Sequence, residues 1–443
     1  MKLWLTITAA ALSFGAAANN LTFNDTLAYQ LTESLTVEVG QRLAGSEADA
    51  RAVAWAERTF KQLGYDKVWT EPFTMQYWER GQASLTVSEP FRQNLVVTAL
   101  GGSVATPFDG INAQVAMFDS LEQLKTADPA LVKDKIVFIN KSMEKDKLGS
   151  FYGSVVGARA QGAVEAAKLG AKAIIIRSVG TSINRFAHTG IMRYSDDVAR
   201  IPAAAVSVPD AQQLARMLER QPELTLQLQM QNKLPGEVTS HNVIAEITGS
   251  KYPDEIVLIG AHLDSWDEGT GALDDGAGVG LVMATAALLK QQARPQRTIR
   301  VVLFGNEEGG LVGARAYAAK HAGNLNKHVF ASESDFGAGR IWRLDTGFGK
   351  ESLAFANSLQ QKLAGYGVEA GSNTASGGPD VSVLKAQGVP VVSLQQDGTD
   401  YFDYHHTPND TLDKIDPAAL QQNLQVWLHT VSAVANSRID LRK

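Results

Sequence analysis

From about residue 241 to the C-terminus, short uninterrupted apolar runs alternate with segments of helical periodicity. "HNVIAEITG", "EIVLIGAH", "TIRVVLFG", "KHVFASES" and "VPVVSLQQ" lack the in–out alternation of a half-exposed strand. Strands of this kind are buried on both faces. Between them lie helical patterns over about 276–290 and 311–320, then "LAFANSLQQKLAGYG". A last helix opens at Asp416-Pro417 and carries Leu420, Leu424, Trp427, Leu428, Val431 and Val434 on one face. Such a pattern admits few folds. It specifies an α/β architecture, a mostly parallel central sheet sandwiched by helices. Sheets of this type place their chemistry beyond the carboxyl ends of the strands.

Upstream the texture changes. "AGSEADARAVAWAERTFKQLGYD" predicts a helix capped by Ser46, with Asp49 three residues on and Gly64 closing it. A strand over about 67–73 follows, and the Gly/Pro/Ser-rich stretch 98–110 marks a boundary. Residues 101–232 read as an insert of strands and helices, without clustered ligand-type residues. Residues 19–100 and 233–443 then form the main unit. Residues 1–18 have the form of an export signal: Lys2, an apolar run too short to span a bilayer, and small residues ending at Ala18. Export to the periplasm or medium is expected, with no membrane span elsewhere. The chain has no cysteine, so a transition metal must be held by His and carboxylate. A net charge of −6 without a basic cluster argues against nucleic acid as a partner.

The polar residues that follow the apolar strands form a pattern. His262 and Asp264 follow "EIVLIGA", and Asp274 lies in the Gly-rich turn beyond them. Glu307 and Glu308 follow "TIRVVLFGN", Asp335 follows "KHVFASES", and His405 and His406 follow "VPVVSLQQDGTDYFDY". Taken singly, each has an ordinary structural role as a cap, a turn or a solvated helix start. Their convergence at one edge of a sheet points to metal, because all are zinc ligand types where thiolate is lacking. Two histidines and three carboxylates suit two ions sharing a bridge better than one ion.

The motifs "GAHLDSWD", "GALDDGAG", "LFGNEEGGLVGA", "ESDFG" and "YHHTPNDT" together resemble the co-catalytic zinc aminopeptidase and glutamate carboxypeptidase family. The likeness covers nearly all the chain after the leader. The order of "DKIVFI", "AAKLGAKAIII" and "IPAAAVSV" within the insert resembles a protease-associated domain. This resemblance implies two Zn2+ per subunit. Asp274 would bridge them, His262 and Asp335 would complete one site, and Glu308 and His406 the other. It implies Glu307 as general base to a metal-bridging hydroxide, and Asp264 as the carboxylate that fixes the tautomer of His262. His405 stands where several members carry a Tyr that holds the oxyanion. Asp380, in "SNTASGGPDVS", falls near the expected substrate pocket, although it would serve equally as a helix cap. Short peptides, dipeptides especially, are the implied substrates, with aminopeptidase action on longer peptides as the alternative. Glutaminyl cyclisation and a non-catalytic receptor-like role are the remaining readings. The insert is expected to cover the pocket or to mediate a homodimer.

Overall fold

A computed structural model describes residues 26–443, so the expected export signal lies outside the described residues. The main unit is built on an eight-stranded sheet. Its centre is parallel: Arg297–Phe304 pairs with Tyr252–His262, which pairs with His328–Glu333, which pairs with Val391–Gln396. The sheet is mostly parallel, as expected, with antiparallel flanks. Lys67–Glu79 and Lys233–Ile247 run antiparallel on one side, and Ile341–Gly347 runs antiparallel to Val391–Gln396 on the other.

The uninterrupted apolar runs have the expected cause. Val257 and Ile259 face a core shared with the helices Glu47–Gln62, Ala277–Gln292 and Pro417–Ala435. Ile256 and Leu258 face the opposite core, under Val312–His321 and Pro379–Lys385. Each residue of the strand therefore gains burial on one side or the other, about 1.5–3 kcal/mol for a side chain of this size. Ala272–Gln292 is long and apolar enough to cross a membrane, which the sequence reading did not expect of any segment past the leader; here it is wholly buried. It is apolar all round because it is surrounded by protein all round.

A second eight-stranded sheet forms the insert. Ile111–Phe118, Ile136–Ile139, Ala173–Arg177 and Ala203–Val206 run parallel through its centre. It also takes Ala83–Glu89, Gln93–Leu95 and Val97–Ala99, which precede the boundary read from sequence at 100/101. The Gly/Pro-rich stretch at 98–110 is thus a turn within the second sheet. The chain passes between units near Arg80, where Lys67–Glu79 gives way to Ala83–Glu89.

On the core face away from the strand ends, Arg300 donates to Glu246 Oε1 at 2.6 Å and to Tyr317 Oη at 2.8 Å, and Tyr317 lies 2.8 Å from His328 Nε2. Burial, with the Arg300 charge adding to it, pushes the His328 imidazole down to about 3. The unfolded chain therefore takes up a proton near pH 6.5 that the folded chain refuses. Stability from this residue is present above pH 6.5 and is lost as pH falls toward 3, by about 2 kcal/mol at pH 5. The thermal midpoint of His328→Gln should accordingly fall less between pH 7.5 and pH 5 than that of the parent. Parallel curves would remove His328 from the acid response.

Candidate metal centre

The ends of the parallel strands bring the polar residues together. His262 is the last residue of its strand and pairs in register with Phe304, so the Glu307–Glu308 loop rises beside it. Asp335 follows His328–Glu333, and His405 and His406 follow the short helix Tyr401–Tyr404. Asp274 lies in the turn Ala272–Gly276, and the peptide bond joining it to Asp275 is cis. His406 adopts a left-handed φ of 61°.

Asp274 is at the middle. Its Oδ1 is 3.1 Å from His262 Nε2, and its Oδ2 is 3.3 Å from His406 Nε2. His262 Nε2 is also 3.5 Å from Asp335 Oδ1, and His406 Nε2 is 3.1 Å from Glu308 Oε2. One carboxylate thus links two histidine–carboxylate pairs through separate oxygens. All these groups are buried except Asp335, which is half-buried. Ligand atoms of His262, Asp274 and Glu308 lie within 4.8 Å of one another, as do those of Asp274, His405 and His406. Asp275 groups in the same way with His262 and Asp335, but its oxygens accept from the backbone amides of His262 and Gly278 at 3.2 and 3.1 Å.

The electrostatics show what the cage lacks. Burial opposes charge on His262 and His406, yet the surrounding carboxylates raise both, His406 to about 9 through Glu308 and Asp274. The imidazole nitrogens sit where positive charge is demanded, and a metal cation meets that demand as a proton does. Asp274 Oδ2 and Glu308 Oε1 are buried without a hydrogen-bond partner among the described residues. Unpaired buried oxygens are costly unless something coordinates them. These groups fit a metal of the zinc type. His405 stacks on His406 with ring centroids 3.5 Å apart. Burial, and then the charge of His406, push it well below its ordinary value, so it is neutral.

A model of peptidase family M28 matches residues 242–431. The chain is 36% identical over 399 residues to carboxypeptidase Q of Xenopus laevis, spanning 90% of this chain and 83% of that one. The chain belongs to peptidase family M28. Human carboxypeptidase Q is similar to the same degree, 36% over 409 residues, spanning 92% and 85% of the two chains. A crystal structure of a peptidase M28 precursor from Shewanella amazonensis SB2B matches with a TM-score of 0.93 and 52% identity, covering 94% of this chain and 95% of that one. A zinc aminopeptidase from Bacillus subtilis, at 21% identity and a TM-score of 0.69 over 96% and 99% of the chains, shares the fold. The protein is a zinc metalloexopeptidase.

In this M28 peptidase the support of the cage differs from the sequence expectation. Asp264 meets His262 Nδ1 through its backbone carbonyl at 3.0 Å, not through its carboxylate, which is 3.7 Å away. The Asp264 carboxylate instead accepts from the amides of Glu307 and Glu308 at 3.1 and 3.3 Å. It therefore fixes the loop that carries both glutamates. Asp380 lies inside the helix Pro379–Lys385, whose N-cap is Gly378, so it is no cap. It is fully buried, both its oxygens are unpartnered, and burial with the nearby charges of Glu333 and Glu307 raises it well above its usual range.

Three supports were missing from the sequence reading. Asp410 accepts from the amides of Leu273 and Asp274 at 2.7 and 3.1 Å, and burial raises it to about 7. Its position in "YHHTPNDT" was the available signal. Arg42 is completely buried and donates to the carbonyls of Leu263, Thr270 and Gly271 at 2.5, 2.7 and 3.0 Å. It comes from a segment more than 200 residues away, and nothing local marks it. The third is Thr189 of the insert, whose carbonyl lies 3.2 Å from His406 Nδ1. Donation there leaves Nε2 free to face Asp274 and Glu308.

Asp264→Asn would turn an amide NH2 toward one of two backbone donors. We expect a loss of about 1–3 kcal/mol, the cost of one unsatisfied buried donor. A lowered thermal midpoint by calorimetry, together with reduced zinc content by elemental analysis, checks it.

Proposed function

We propose that this chain hydrolyses the peptide bond of dipeptides or short peptides with two zinc ions bound in the cage. The observation that carries the reading is the Asp274 carboxylate, one oxygen toward His262 and the other toward His406. In this assignment His262 and Asp335 hold one ion with Asp274, and Glu308 and His406 hold the other with Asp274. Zinc bound there supplies Lewis acidity to a carbonyl and lowers the pKa of water toward neutrality.

Glu307 supplies the proton chemistry. It leaves the loop beside His262 but is claimed by no ion pair or side-chain hydrogen bond among the described residues. Burial, and then the charges of Asp335 and Glu308, raise its carboxyl well above the ordinary range, against the pull of His262. A carboxylate so raised takes a proton from attacking water near neutral pH and returns it to the departing amine nitrogen. Neutral His405, with Nε2 3.6 Å from Asp274 Oδ2, can donate toward an oxyanion formed beside that carboxylate. Asp380 is fully buried near Glu307, and burial keeps it mainly neutral, so it backs the site without presenting charge to the peptide.

Dipeptide action is favoured over aminopeptidase action on longer chains by the similarity to carboxypeptidase Q over most of both chains. The leader-like residues 1–18 support export, and short peptides are the proposed partners. Glu307→Gln should keep its zinc and lose roughly 10²-fold or more in turnover, the scale of a lost general base. Near-normal turnover would remove Glu307 from that role. Asp274→Ala should lose at least one zinc by elemental analysis, and full occupancy would remove the shared ligand. A panel of dipeptides, longer peptides and peptides with an N-terminal Gln, read by mass spectrometry, separates dipeptidase, aminopeptidase and cyclase action. Release of amino acids that a chelator abolishes excludes the receptor-like alternative.

A further inference from the structure

A cavity of about 700 Å3 lies between the two units and adjoins the metal cage. Asn306 and Gly309, on either side of Glu307 and Glu308, form one wall, and Ile191, Met192 and Arg193 of the insert form the other. Trp266 lines both this cavity and the small hollow between Asp274, Glu308 and His406. The cavity is therefore the room next to the reacting bond. Its volume falls in the range of sites that take a small ligand.

Its polar inventory is one-sided. Arg200 is engaged, 3.6 Å from Asp196 and over the ring of Tyr194. Arg193 has no ion pair or side-chain hydrogen bond among the described residues. Its guanidinium overlies Gly310, where a Cβ would strike it, and the Gly310 amide donates to the Glu307 carbonyl at 2.7 Å. The indole N–H of Trp266 is buried and unpartnered. An unpaired guanidinium and an unsatisfied donor line the same space, with no carboxylate among its lining residues.

We infer that this cavity holds the leaving residue of the substrate and that Arg193 binds its free α-carboxylate. The inference rests on the peptidase reading above and narrows it to peptides with an unblocked C-terminus. Charge sets the direction. An ammonium group is repelled from the arginine side, and a carboxylate is drawn to it. A zwitterionic dipeptide thus lies with its amino end toward the metal cage and its carboxylate toward the insert. Guanidinium is suited to this task because it binds a carboxylate through two parallel donors. Arg193 is a specificity-determining residue contributed by the insert, and it makes the insert half of the substrate site.

The test compares a dipeptide with the same dipeptide amidated at its C-terminus, using zinc-loaded full-length enzyme. The parent should prefer the free acid in kcat/KM by about tenfold or more, the scale of one charge-assisted hydrogen bond. In Arg193→Gln that ratio should collapse toward one, mainly through KM on the free acid, and Arg193→Lys should restore part of it. Equal cleavage of acid and amide by the parent overturns the inference and leaves the peptidase reading standing. So does a ratio unchanged in Arg193→Gln. Cleavage of neither substrate by zinc-loaded parent overturns both. Zinc content and thermal midpoint, expected unchanged for this exposed side chain, separate lost recognition from lost fold.

Discussion

The Asp274 carboxylate sits between two imidazoles in a place that water barely reaches, and most of the surrounding architecture can be understood as keeping it there. Burial alone would drive such a carboxyl to its neutral form. The imidazoles of His262 and His406 beside it reverse this and hold Asp274 well below its usual range. The strand ends deliver further acids to the same spot, and each one raises the demand for positive charge. Protons on the histidines answer part of that demand, and divalent metal answers it more fully.

Rigidity comes from backbone amides rather than from side-chain pairs. Asp264 holds the amides of the Glu307–Glu308 loop, Asp410 those of Leu273 and Asp274, and Asp275 those of His262 and Gly278. Three carboxylates thus bind six amides and fix three loops against one another. Arg42 completes the frame from the opposite polarity by drawing three carbonyls onto one guanidinium. A metal ligand displaced by an ångström loses much of its value, so this effort is spent where tolerance is least.

What was legible in the sequence follows from what is local. The apolar runs announced a sheet covered on both faces, and the polar residues at their ends announced the site, because strand ends and sequence position coincide there. His262, Glu307, Glu308 and Asp335 carry that signature directly, while Asp274 and His406 lie in the turns beyond. Asp264 was recognised, but the target of its carboxylate was not, since a spacing of two from a histidine says nothing about which atom faces the ring. Arg42 and Thr189 left no trace because their roles exist only once distant segments meet. The start of the second sheet was misplaced for a related reason. Gly and Pro mark a turn, and only pairing tells whether the strands on either side belong together.

Trp266 shows how deeply the two units share material. It follows the strand that ends in His262, yet its side chain lies in the hydrophobic core of the insert, edge-on to Trp78 at 6.3 Å and against Gly101, which leaves no space for a Cβ. The same ring lies 5.7 Å from His406. Excising the inserted segment would leave an indole protruding beside the reaction centre with nothing to cover it. Deleting the segment would therefore be no neutral trimming, since it strips the cover from a side chain that both units hold in common beside His406.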